Sequence, residues 1–109
     1  MSHYEVACAF KSRLSLSRML ARLNQVGPWD WVERCNDHWG EYIAAGPWPS
    51  PHRGSVIVLE DRRRFILNLT LTSDEPDAEA QFTSVRKVVF ERIMPAIGAR
   101  RLRPTNTYK

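Results

Sequence analysis

The chain has 109 residues, of which 43% are hydrophobic and 26% charged, with a formal net charge of +4. That length suits one domain, residues 1–109, able to bury a core of its own. The totals argue against a disordered chain or a disulfide scaffold, and no apolar run approaches the ~18 residues of a membrane span.

The opening MSHYEVACAF lacks a basic segment followed by a long apolar run, so a cytoplasmic chain is expected, with Cys8 and Cys35 as reduced thiols. Residues 3–10 alternate, with Tyr4, Val6, Cys8 and Phe10 on one face and His3, Glu5, Ala7 and Ala9 on the other. Period two predicts a half-buried strand with Cys8 as a small core hydrophobe. Leu16, Met19, Leu20, Leu23 and Val26 then follow helical spacing, with Ser15 as N-cap and Gly27-Pro28 as the stop. WDWVERC alternates again and predicts a strand with Trp29, Trp31, Glu33 and Cys35 on one side.

Gly40 marks a bend and EYIAA reads as a short strand, whereas the prolines of GPWPSPHRG make a loop. SVIVLE and FILNLTLT flank DRRR as a hairpin. In the second arm Phe65, Leu67, Leu69 and Leu71 face the core. The opposite set, Ile66, Asn68, Thr70 and Thr72, predicts a partly exposed face. Ser73 or Asp74 can cap a second helix whose stripe is Ala78, Phe82, Val85, Val89 and Ile93; Pro95 should kink or end it and Gly98 close it. ARRLRP is a candidate last strand and residues 104–109 a tail.

Two helices with one apolar stripe each are most economically buried on one face of a mostly antiparallel sheet. The expected fold class is therefore α+β, a two-layer sandwich in ferredoxin-like βαββαβ order, with an insertion or extra strand at 29–54.

Residues 34–54 carry the reactive side chains. Cys35, Asp37 and His38 are the types a nucleophile, an orienting group and a base require. Yet partners packed into four residues seldom converge, because neighbours on a strand point to opposite faces. Cys35, His38 and His52 are the candidate metal ligands, but one Cys/His pair without a second falls short of a structural zinc site, and no cofactor motif is present. The arginines Arg62, Arg63 and Arg64 at the hairpin tip and Arg100 and Arg101 after the last helix suit nucleic acid, without any RNA-binding signature sequence. The four tryptophans fall within twenty residues, and Trp, Tyr and Arg dominate binding hot spots. Trp39, Tyr42, Trp48, His52 and Arg53 are therefore the expected binding residues.

The favoured function is a small non-catalytic binding or regulatory module acting on a protein partner or on itself as a homodimer, such as an inhibitor or immunity-type protein. The alternatives are an enzyme or small-ligand binder with its site at 35–52, and a nucleic-acid binder using the arginine clusters. A membrane partner is not expected.

Overall fold

The computed structural model describes residues 1–105. Strand β1 (Ser2–Lys11) leads to helix α1 (Leu16–Val26), then to four strands: β2 (Trp31–Asn36), β3 (Gly40–Ala45), β4 (Val56–Asp61) and β5 (Arg64–Ser73). Helix α2 (Ala78–Val88) passes through a π-helical turn at Val89–Ile93 into the short α3 (Met94–Ala96), and β6 (Arg100–Pro104) ends the fold. All strand pairs are antiparallel, and the sheet order is β2-β3-β4-β5-β1-β6. The α+β class thus holds, with helices packed on a six-stranded antiparallel sheet. The 29–54 segment contributes a whole hairpin, β2–β3, and the following loop.

The alternation of β1 is realised: Cys8 and Phe10 are buried among Met19, Leu23, Leu67, Val85 and Ile93, with Tyr4 and Val6 packed at the margin. Burial pushes the Cys8 thiol up to about 11, as an apolar setting does to any group that would become charged. Ser15 caps α1 by accepting from the amide of Arg18, and Gly27, at φ 67, returns its N–H to Leu23. β2 begins at Trp31 rather than Trp29. Trp31 is buried and Trp29 leans on it at 6.5 Å between centroids, so both indoles serve the core as their shared register implies.

The second helix starts later than the expected cap. Ser73 belongs to β5 and its Oγ accepts from the amide of Glu75, while Asp77 occupies the N-cap position of α2 without a side-chain cap bond. At the other end Pro95 acts one turn upstream of itself. A proline lacks an N–H and its ring crowds the carbonyl four residues back. The chain answers with a π turn in which Met94 N–H reaches Val89 O. The two helical units are tied by arginines at carbonyl ends: Arg92 donates to Val26 O and Arg22 to Ala96 O. Ser12 Oγ donates to Ile97 O at 2.6 Å, fixing the exit of β1 to the end of α3.

One expectation is overturned on the face away from the helices. Ile66 was to sit on a partly exposed surface, but it is fully buried, and Asn68 beside it is buried too. Ala9, Ala44, Ile57, Leu59 and Ile66 form a second apolar cluster there, with Trp39 and Tyr42 packed against it. The run Val56–Leu59 is apolar at every position because β4 is buried on both sides, the pattern of a strand with two covered faces.

Candidate binding surface

The expected binding residues separate into two groups at opposite ends of the sheet. Trp48 stacks on Phe82 at 6.2 Å and donates from Nε1 to Thr70 O at 2.8 Å. Phe82 in turn stacks on Tyr4 at 5.6 Å. His52, with its side chain 4% exposed, pairs Nδ1 with Ser73 Oγ and sets Nε2 3.5 Å from Asp77. Arg53 exchanges two backbone hydrogen bonds with Thr72, extending the sheet past β4. Trp48, His52 and the Arg53 backbone therefore anchor the proline-containing loop to β5 and α2.

Trp39 and Tyr42 lie at the other end. The β2–β3 turn is shaped by Asn36, whose Oδ1 accepts from the amides of His38 and Trp39, with Gly40 at φ 71 completing the reversal. This folds Trp39 onto the sheet, where it meets Tyr42 edge-on at 5.2 Å. Both rings remain partly exposed. The indole Nε1 of Trp39 is buried without a hydrogen-bond partner among the described residues.

The register places Tyr42 in a transverse row, with Trp39 beside it from the turn. Arg34, Tyr42, Leu59, Ile66, Ala9 and Arg103 are consecutive cross-strand partners over all six strands. Five strand spacings make the row about 24 Å long. An arginine stands at each end, with an aromatic and an aliphatic floor between.

Next to this row, towards the turns, the basic residues converge. Lys11, Asp61, Arg62, Arg63 and Arg64 line a shallow groove of about 640 Å³, and Ala9, Phe10, Lys11, Arg64, Arg101 and Arg103 line an adjoining one of about 270 Å³. Two left-handed residues shape it: Arg62 at φ 61 in the β4–β5 turn, and Arg101 at φ 55 in a bulge where β6 shifts register against β1. Among the described residues Asp61 is the one carboxylate lining either groove, 3.5 Å from Arg64. Among the described residues Lys11, Arg62, Arg63, Arg101 and Arg103 have no ion pair; Lys11 Nζ instead donates to Arg63 O at 3.0 Å.

A scan against protein-family models, a search of curated proteins and a search of solved structures each found no match. The assignment of a working surface therefore rests on the geometry.

The catalytic and metal candidates are dispersed. Cys35 lies on β2 opposite Glu41, Asp37 and His38 belong to the turn, and His52 sits at the far end of β5. Among the described residues no three His, Cys, Asp or Glu side chains gather as a metal-holding group. Glu33, Glu41 and Glu60 share a cleft of about 610 Å³ with Arg13 and Arg63 beside the start of α1. No helix of the described residues is long and apolar enough to cross a membrane. The exposed Cys35 and the buried Cys8 make the thiols distinguishable. In native protein near pH 8, a thiol reagent such as DTNB is expected to titrate one cysteine promptly and the second only on unfolding. Prompt reaction of both would contradict the buried place of Cys8.

Strand order is what joins Lys11, Arg34 and Arg103 to this surface; sequence reasoning set Lys11 with the basic residues near the first helix and Arg103 with Arg100 and Arg101, and it missed Arg34. It also missed the second apolar cluster, for which the unbroken run Val56–Leu59 was the available signal.

Proposed function

We propose that the chain is a non-catalytic binding or regulatory module whose working surface is the turn end of the sheet face away from the helices, and that it acts by holding or occluding a partner with negative charge. The observation that supports this is the transverse row with Tyr42 and Trp39 at one side, an arginine at each end, and the crowded cations beside it. Aromatic rings held over an apolar floor and edged by arginine supply the residue types that contribute most at hot spots. A floor set on paired strands moves little on docking, so little ordering entropy opposes binding. An inhibitor or immunity-type protein is one form such a module takes. The βαββαβ reading fits this view: removing the β2–β3 hairpin leaves β1-α1-β4-β5-α2-β6, the ferredoxin-like element order, with the hairpin as an insertion that carries the aromatics.

The test compares immobilised wild type, Cys35→Ser and the double variant Tyr42→Ala/Arg34→Gln in extract of the cells that make the protein. Retained protein is read by mass spectrometry and retained nucleic acid by absorbance. A partner held by wild type and Cys35→Ser but lost from the double variant is expected. A partner retained equally by all three places the working surface elsewhere.

A further inference from the structure

We propose that the partner held at this surface is single-stranded nucleic acid, with phosphates along the basic grooves and bases against Tyr42 and Trp39; this deepens the binding-module reading and rests on it. Six of the chain's sixteen Lys and Arg residues, drawn from the end of β1, the β4–β5 turn and β6, line the two adjoining grooves. The chain has twelve Asp and Glu residues, yet places only Asp61 among them. Like charges gathered this closely repel one another, and among the described residues five of them have no ion pair, although Arg63 also borders the cleft of Glu33, Glu41 and Glu60. A ligand that carries a negative charge on every unit relieves that repulsion all along the groove. A polyphosphate backbone has that property, and arginine forks match phosphate oxygens in pairs.

The aromatic pair decides between a single strand and a duplex. Tyr42 is in the same transverse row as Arg103 and Arg34, so a chain crossing the sheet from groove to row passes from cations to rings. Stacking on side chains needs bases free of their own partners, and a basic track next to an aromatic platform is the shared plan of single-strand binders on open sheets. Apart from Phe10, which is buried, the grooves hold no ring among the described residues. The expected contact is therefore strongly salt-dependent and weakly sequence-dependent.

The experiment is fluorescence anisotropy with a fluorescein-labelled 12-mer of oligouridine, from 50 to 200 mM salt, with labelled polyglutamate as the second probe. The groove triple variant Arg63→Gln/Arg64→Gln/Arg103→Gln replaces exposed side chains only. A second triple, Arg18→Gln/Arg86→Gln/Lys87→Gln, removes the same charge from exposed positions outside the grooves. Wild type is expected to bind the oligonucleotide with a salt slope near −4, from about 0.7 per phosphate contact on a single strand. The groove triple should weaken binding at least tenfold and flatten the slope by about 2, while the control triple stays within twofold. Tyr42→Ala should weaken the oligonucleotide about fivefold or more and leave polyglutamate unchanged, because only bases stack. Circular dichroism confirms that each variant is folded. Absence of oligonucleotide binding at 50 mM salt, or equal losses in the two triples, overturns the proposal. So does polyglutamate binding as tightly as the oligonucleotide with no dependence on Tyr42. If oligonucleotide binding fails while the extract still yields a protein lost from Tyr42→Ala/Arg34→Gln, the binding module stands and its occupant is an acidic protein.

Discussion

Gly54→Ala is expected to destabilise the fold by about 3 kcal/mol or more, well beyond the ordinary effect of one added methyl. Two features act together. Gly54 has φ +139, a backbone conformation that side chains rarely adopt, and a Cβ there would run into the carbonyl oxygen of Thr70, lie 2.8 Å from its carbon and 3.0 Å from Leu71 Cα. The obstacle is the backbone of β5, a strand paired on both sides, so it has no flexible end to swing away. Relief requires lifting residues 53–55 off Thr70–Thr72. That movement strains the Arg53–Thr72 bonds, the Thr70 N to Ser55 O bond and the Trp48 indole bond to Thr70 O. Urea denaturation compares the variant with wild type. Loss below about 1 kcal/mol would show that the loop yields, and that its anchoring to β5 is weaker than the contacts imply.

Ile66→Ala gives the second large effect, an expected loss of about 3 kcal/mol by the same measurement. The outward face of a sheet open to water would lose roughly 1 kcal/mol or less for such a change. Ile66, however, is fully buried, with Leu59 1% exposed on its cross-strand side and Trp39 and Tyr42 packed over the cluster. Truncation removes several buried carbons and opens a void beneath a large indole, and Ile→Ala at such sites costs about 2–5 kcal/mol. The variant also tests the link between stability and binding. The aromatic pair rests on this cluster, so softening the floor should reduce partner retention even though Ile66 itself is buried. A loss near 1 kcal/mol would mean the cluster is solvated in solution and that the rings sit loosely on it.

Local pattern made much of the architecture legible. The alternation of residues 3–10 holds in facing, with Tyr4, Val6, Cys8 and Phe10 on the helix-side core and Ala7 and Ala9 on the other face, though both alanines are buried as well. The caps at Ser15 and Gly27 are read within a few residues and were found where expected. Ile66 misled because its neighbours Asn68, Thr70 and Thr72 are polar, and nothing within β5 reports that Trp39, from a turn 27 positions earlier, packs against its cluster. Trp48 was ambiguous for a similar reason: its partners Thr70 and Phe82 are distant in sequence, and only the fold tells an anchor from an exposed ring. The arginines at 62–64 and 100–101 were visible as separate runs. Their union with Lys11 and Arg103 depends on β1 lying between β5 and β6, which no local pattern encodes.

That position of β1 also governs how the chain can assemble. β1 has as neighbours β5, whose residues begin at Arg64, and β6, which begins at Arg100. Ser2–Lys11 can pair with β5 only after a loop of more than fifty residues closes, and with β6 only after nearly ninety, so long loop closures must precede the sheet's completion, and folding should be slow for its size. In the interval the small, apolar edge at Ala7 and Ala9 is an open template for other chains. The arginines flanking it on β6 thus have a second effect: as β6 docks, it closes that edge with charge and a bulge, both of which discourage further pairing.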